Sequence, residues 1–190
     1  MITPSIVSLI NKKSFFKYIF FIILLFVAAF RDGKYFFDYK NYENFVNNFT
    51  FSFSSFLGNE IGFIAITVIS NVFTSPEIYF FFIFALVSLL IKFHALNKGA
   101  DNFYFALFAL VCIFYLPHEL TQIRVSVAAG FFMLAYVYIL KGNKKLFYLN
   151  CLLAFCFHFS ALILFPLYFI LRCKYRYNMF FLFLPILGFF

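Results

Sequence analysis

Charge is what this chain has least of: only 12% of its 190 residues are Asp, Glu, Lys or Arg, against 65% hydrophobic. An aqueous fold of this size needs a polar surface to cover its core, and too little is present to make one. Lipid is the solvent that suits such a composition. Glycine and proline are also few, at seven and five, which excludes a collagen-like or low-complexity chain. The four cysteines, Cys112, Cys151, Cys156 and Cys173, form no C-x-x-C pair and lie inside apolar runs or at the end of one. Neither a zinc site nor a disulfide framework is expected from them, only buried apolar thiols. A Gly-rich phosphate loop, H-E-x-x-H and G-x-S-x-G are all missing, which removes support for a soluble-type nucleotide enzyme, a metalloprotease or an α/β-hydrolase. The residues call for no metal and no cofactor.

What is present is a series of apolar runs, at Phe15–Phe30, Ile61–Phe73, Ile78–Leu96, Phe103–Leu116, Val125–Leu140, Leu146–Phe157, Phe159–Leu171 and Met179–Phe190. They predict an all-α, polytopic transmembrane helix bundle: about 6–7 membrane helices with short amphipathic or re-entrant helices, in one integral-membrane domain over residues 1–190. The net charge of +8 comes from Lys and Arg placed between the runs. Such placement reads as membrane topology and contact with anionic lipid rather than nucleic-acid binding. Phe15–Phe30 ends in Phe30-Arg31 without a small-x-small cleavage pattern, so it is read as a retained first helix. The last run stops at Phe190 with no polar tail, which suggests the N-terminal part of a longer bundle.

Lys12, Lys13 and Lys17 favour a cytoplasmic N-terminus. Residues 31–59 then form an outer-side loop. In it Tyr39, Tyr42, Val46 and Phe49 recur at helical spacing, predicting a short interfacial helix with Asp38 near its N-cap. Ile61–Phe73 carries Glu60, Thr67, Asn71 and Thr74 on one stripe at 100° per residue. It is read as a half-inserted helix or one that lines a wet cavity. If it does not cross, and if 146–171 folds as a short hairpin around His158, then Lys98, Lys141, Lys144, Lys145, Arg172, Lys174 and Arg176 all fall on the cytoplasmic side. The positive-inside rule prefers that arrangement.

Polar groups at membrane depth are costly, so each needs a reason. In the preferred topology most of them face outward. Arg124, in Gln122-Ile123-Arg124, suits bidentate binding of a phosphate or diphosphate, or else snorkels to headgroups or pairs with Glu119. His158, between Phe157 and Phe159, suits a base or a hydrogen-bond donor; otherwise it breaks the helix, with Ser160 as the next N-cap. Asp38 is a candidate general base or a helix cap. Glu60 is a candidate for orienting a sugar, or for favouring a helix N-terminus. Arg31 is a second phosphate ligand or a boundary charge. Ser126 and Gly130 form a small-xxx-small pair for close helix packing. Lys92 and His94 read as snorkelling anchors at the inner end of a span.

Taken in order, these landmarks resemble the EpsG family of Wzy-type polysaccharide polymerases. The matching elements are Phe30-Arg31-Asp32-Gly33 with Asp38-Tyr39-Lys40-Asn41-Tyr42, then Glu60-Ile61-Gly62-Phe63, then Gln122-Ile123-Arg124, then Phe157-His158-Phe159-Ser160-Ala161. Val125 stands where the family often has Gln. The family is longer, so the resemblance implies a C-terminally truncated member. It also implies a glycosyltransferase on the outer face of the bacterial cytoplasmic membrane. That enzyme passes a glycan from polyprenyl diphosphate to a sugar hydroxyl of a second lipid-linked repeat unit of capsule, exopolysaccharide or O-antigen. Asp38, Glu60 and His158 are then the catalytic residues, and Arg31, Tyr42, Gln122, Arg124 and Ser160 bind substrate. The partners implied are the polyprenyl-diphosphate-linked oligosaccharide, membrane lipids and polysaccharide-assembly proteins. A transporter or flippase of lipid-linked sugars, or an inactive membrane remnant, are the alternatives.

Overall fold

The computed structural model describes residues 4–36, 38–52, 55 and 58–168. The last apolar run, Cys173 and the cationic group Arg172, Lys174 and Arg176 lie outside the described residues. Within them the chain is helical, with no strand. Helix α1 (Pro4–Ala29) leads through a 3-10 turn (Gly33–Tyr35) to α2 (Tyr39–Asn47). Then come α3 (Ile61–Ser70) and α4 (Pro76–Gly99). Helix α5 (Phe103–Leu110) runs on into a π-helical segment (Val111–Glu119), and α6 (Ile123–Leu140), α7 (Lys144–Phe157) and a 3-10 helix (Phe159–Leu164) follow.

Length sorts these elements. At 1.5 Å per residue α4 reaches about 36 Å and α6 about 27 Å, enough for a hydrocarbon core about 30 Å thick. They are the two helices among the described residues that are long and apolar enough to cross a membrane. Helix α3 reaches only about 15 Å, half the core. That is the length expected for a half-inserted helix. Its polar stripe divides: Glu60 and Thr67 are buried, whereas Asn71 and Thr74 are exposed. Thr67 and Ser70 are fully buried, and their hydroxyls donate to the carbonyls of Phe63 and Ile66 one turn back. A hydroxyl bonded to its own helix carbonyl needs no water, and this explains how Thr67 and Ser70 sit in a packed interior.

Helix α4 is the central element. On one side, Ala85, Leu89, Phe93 and Leu96 pack with Leu24, Leu25 and Ala28 of α1 and with Phe103, Leu107 and Leu110 of α5. At its first turns, Phe80, Phe81 and Phe84 meet Tyr42 and Val46 of α2, Phe63, Ile64 and Ile66 of α3, and Ile123 and Val127 of α6. The face of α2 predicted from spacing is therefore real, but it is buried against this aromatic cluster. Helices α6 and α7 form a hairpin. Gly142 takes φ 71°, a left-handed conformation that costs glycine little. Asn143 then caps α7 by accepting from the amide of Leu146. Phe15, Ile22, Ile23 and Phe26 leave an apolar flank of α1 exposed, continued by Phe30 just beyond it.

The π-helical segment contains Pro117, which has no amide hydrogen to give to the ladder. The amide of Gln122 reaches back to the Pro117 carbonyl at 3.0 Å and closes the turn. This irregular connection returns the chain to the end of α4 that carries Phe80. It thereby places the start of α6 beside α2 and α3.

Candidate functional site

Glu60 is the centre of the site. It precedes α3 with extended backbone (φ −69°, ψ 142°) and does not cap the helix. Its side chain is 5% exposed, and a buried carboxylate must find partners. Oε2 accepts from Nη1 of Arg124 at 2.7 Å, and Oε1 lies 3.3 Å from Nδ1 of His158. Arg124 is the second residue of α6, and His158 ends α7 on extended backbone (φ −158°, ψ 120°). Residues separated by 64 and 98 positions are thus joined through one carboxylate. The side chains of Arg124 and His158 are 32% and 34% exposed, so the buried anion holds two groups that look outward.

Gly62 makes this approach feasible. A Cβ there would lie 2.8 Å from the Phe157 ring and 2.9 Å from the Cys156 carbonyl oxygen. Only a residue without a side chain lets the end of α7 press against the first turn of α3, which is what carries His158 to Glu60. Aromatic rings complete the wall. The Arg124 guanidinium sits 4.8 Å from the Phe63 ring centroid and 5.7 Å from that of Tyr42. Such stacking favours a guanidinium over an ammonium. Burial pushes the Tyr42 hydroxyl above its usual pKa, with Arg124 pulling the other way, so at neutral pH it is a donor.

Arg31 lies just beyond α1 and is buried. Its Nη1 donates to the Ala28 carbonyl at 2.5 Å, and its guanidinium packs 4.4 Å from the Phe81 ring centroid. Nε and Nη2 are buried and have no hydrogen-bond partner among the described residues. Burial lowers its pKa to about 10, with Tyr39 and Glu119 opposing, so it remains a cation at neutral pH. A buried cation with two unpartnered nitrogens is an anion seat in chemical terms.

The remaining residues singled out by sequence stand further out. Asp38 precedes α2 without capping it through its side chain. It acts on Tyr42 electrostatically and is not hydrogen-bonded to Glu60, Arg124 or His158. Gln122 is exposed and does not cap α6. Ser160 is exposed inside the 3-10 helix, whose N-cap is His158 rather than Ser160. The extended backbone at His158 shifts the helix start forward, which is why the expected cap moved.

Two further sequence expectations are overturned. Arg124 does not pair with Glu119, and Lys92 is no snorkelling anchor. Lys92 is 1% exposed and donates to Glu119 Oε1 at 2.5 Å and to Ser126 Oγ at 2.7 Å. Ser88 donates to Glu119 at 2.9 Å and shares a hydrogen bond with Ser126 at 2.9 Å. Ser88 and Lys92 lie one turn apart on the buried face of α4, a spacing that was readable in the sequence. What was not readable is that the π-helical segment returns Glu119 to that face.

The family model of the EpsG family matches residues 14–190 of the chain. No curated protein and no solved structure matches it.

Proposed function

The chain belongs to the EpsG family, and from that premise we propose that it is a membrane polysaccharide polymerase, a glycosyltransferase acting on lipid-linked repeat units of capsule, exopolysaccharide or O-antigen. The observation that carries this reading is the buried Glu60 carboxylate bridging Arg124 and His158. Glu60 accepts the Nδ1 hydrogen of His158, and this leaves Nε2 free to accept a proton. The same orienting logic operates wherever a carboxylate fixes a catalytic imidazole.

In the reaction, a sugar hydroxyl of the acceptor gives its proton to His158 Nε2 as its oxygen attacks the anomeric carbon of the donor. The bond from that carbon to the diphosphate oxygen breaks, and the polyprenyl diphosphate leaves with the electron pair. Arg124 uses the N–H groups not turned to Glu60 to stabilise the developing charge, and Arg31 offers its unpartnered Nε and Nη2 to a phosphate oxygen. Tyr42 donates from its protonated hydroxyl. Asp38 stands beside Tyr42 for further proton transfer, and Gln122 and Ser160 offer exposed polar groups to the sugars. No step in this scheme uses a nucleotide or a metal.

The setting that goes with this chemistry is a multi-pass protein of the bacterial cytoplasmic membrane. Its N-terminus is cytoplasmic, and residues 31–59 and the Glu60 cluster face outward, towards lipid-linked substrate and polysaccharide-assembly partners. The chain forms one membrane unit in this reading. The test is polymer length in cells from which the locus has been deleted. Wild-type protein should restore long chains, and Arg124→Ala at equal membrane abundance should leave single repeat units. Full-length polymer from Arg124→Ala would sink the proposal. If His158→Ala and Asp38→Asn are silent while Arg124→Ala is not, a transporter of lipid-linked sugars takes its place.

A further inference from the structure

The interior holds a second polar cluster that the scheme above does not use. Ser88, Lys92, Glu119 and Ser126 are each no more than 2% exposed. Four hydrogen bonds close them into a ring, from Ser88 to Glu119, to Lys92, to Ser126 and back to Ser88. The ring joins three segments: α4 supplies Ser88 and Lys92, the π-helical segment Glu119, and α6 Ser126. Ionisable groups inside an apolar bundle mark function more often than stability. Replacing a buried ion pair with well-packed apolar residues is often neutral or stabilising, so net stability does not account for this one. What such a pair supplies is a discrete geometry.

The residue whose geometry depends on it is close in sequence. Arg124 lies two positions before Ser126, in the first turn of α6. That turn has no side-chain cap from Gln122, and it follows a segment broken by Pro117. Local structure therefore leaves the start of α6 weakly specified. One and two turns before Ser88 on α4, Phe84 and Phe80 hold the Phe63 ring on which Arg124 stacks. We propose that the Ser88–Lys92–Glu119–Ser126 ring is a positioning device, which locks the first turn of α6 to α4 and so sets Arg124 against Glu60. The inference rests on the polymerase reading for its effect on activity, but its structural claim stands alone. Lys92 and Glu119 are positioning residues here, since they touch the guanidinium only through the helix they hold.

The test uses the full chain carrying Lys92→Met with Glu119→Leu, an apolar pair that avoids leaving one charge buried alone. Spin labels at Tyr79 and Thr121, in a cysteine-free background reconstituted in nanodiscs, report the start of α6 against the start of α4. A second pair at Ala100 and Leu140 reports the opposite end. The expected result is a shifted or broadened distance at the first pair, an unchanged distance at the second, and wild-type membrane abundance. A misplacement of about 1 Å can cost about 10²-fold in rate, so long polymer should fall by at least about tenfold. The exchanged pair, Lys92→Glu with Glu119→Lys, should recover part of both signals. An unchanged Tyr79–Thr121 distance overturns the proposal, and so does a change of equal size at both ends. If the distance moves as expected but Arg124→Ala itself still makes long polymer, the positioning inference survives and the polymerase reading is the one that fails.

Discussion

Replacing Glu60 with Gln keeps the shape of the side chain and removes the charge that joins the two sides of the site. Hydrogen bonds to charged groups contribute about 1.5–3 kcal/mol each when desolvated. The Arg124 and His158 side chains are 32% and 34% exposed, so both regain water when Glu60 loses its charge. Solvent screening reduces the loss, and the stability cost should be about 1–2 kcal/mol. For a chain of this size that corresponds to a fall in Tm of a few degrees, readable by thermal unfolding in detergent. The effect on polymer should be far larger. His158 loses the acceptor that orients its ring, and general-base help is worth about 10²–10⁴ in rate. Glu60→Gln should thus accumulate in the membrane, melt slightly early and leave mostly single repeat units. Glu60→Gln combined with His158→Ala should lose less than the product of the two single losses, because part of the Glu60 effect acts through His158. Long polymer from stable Glu60→Gln protein, or losses that simply multiply in the double variant, would refute the carboxylate–imidazole reasoning.

Gly62→Val puts side-chain atoms where the Phe157 ring and Cys156 carbonyl now lie. It should cost about 1–3 kcal/mol and part α3 from α7, seen as a lowered Tm with lost polymer. Gly142→Val forces a branched residue into the left-handed region at the α6–α7 turn. A cost of about 1–2 kcal/mol is expected there with polymer length retained in the protein that folds, whereas Gly142→Asn should be milder. Arg31→Lys keeps the charge but cannot reproduce the planar guanidinium packed on Phe81. It should reduce polymer length more than stability, measured on the same gels and melting curves. Finally, a cysteine at Asn41 should react with an impermeant thiol reagent added outside intact cells, and one at Asn143 should not; the reverse at Asn143 would invert the proposed orientation.

Part of the candidate site was legible in the sequence. Glu60 and Arg124 stood out because each heads an apolar run, and His158 because it separates two, where a polar group must have a reason to be present. The amphipathic face of α2 followed from its spacing, and the short reach of α3 from the length of its run. The missed elements share a cause. Sequence spacing tells which residues share a face of one helix, but not which face of another helix meets it. Lys92 looked like an anchor because it stands near the end of an apolar run. Only the irregular return through Pro117 places Glu119 in front of it. Arg124 had an acidic neighbour five positions away in Glu119, yet its partner is Glu60, 64 positions distant.

By itself, then, the sequence determined the helical class and the apolar setting, and it singled out Glu60, Arg124 and His158 as polar groups to be explained, because composition and periodicity act locally and survive any arrangement of helices. Tertiary structure alone decided the pairing. A buried carboxylate takes whichever cations the packing brings within reach. That choice was made by Gly62 letting α7 approach α3 and by the π-helical segment carrying the chain back along α4.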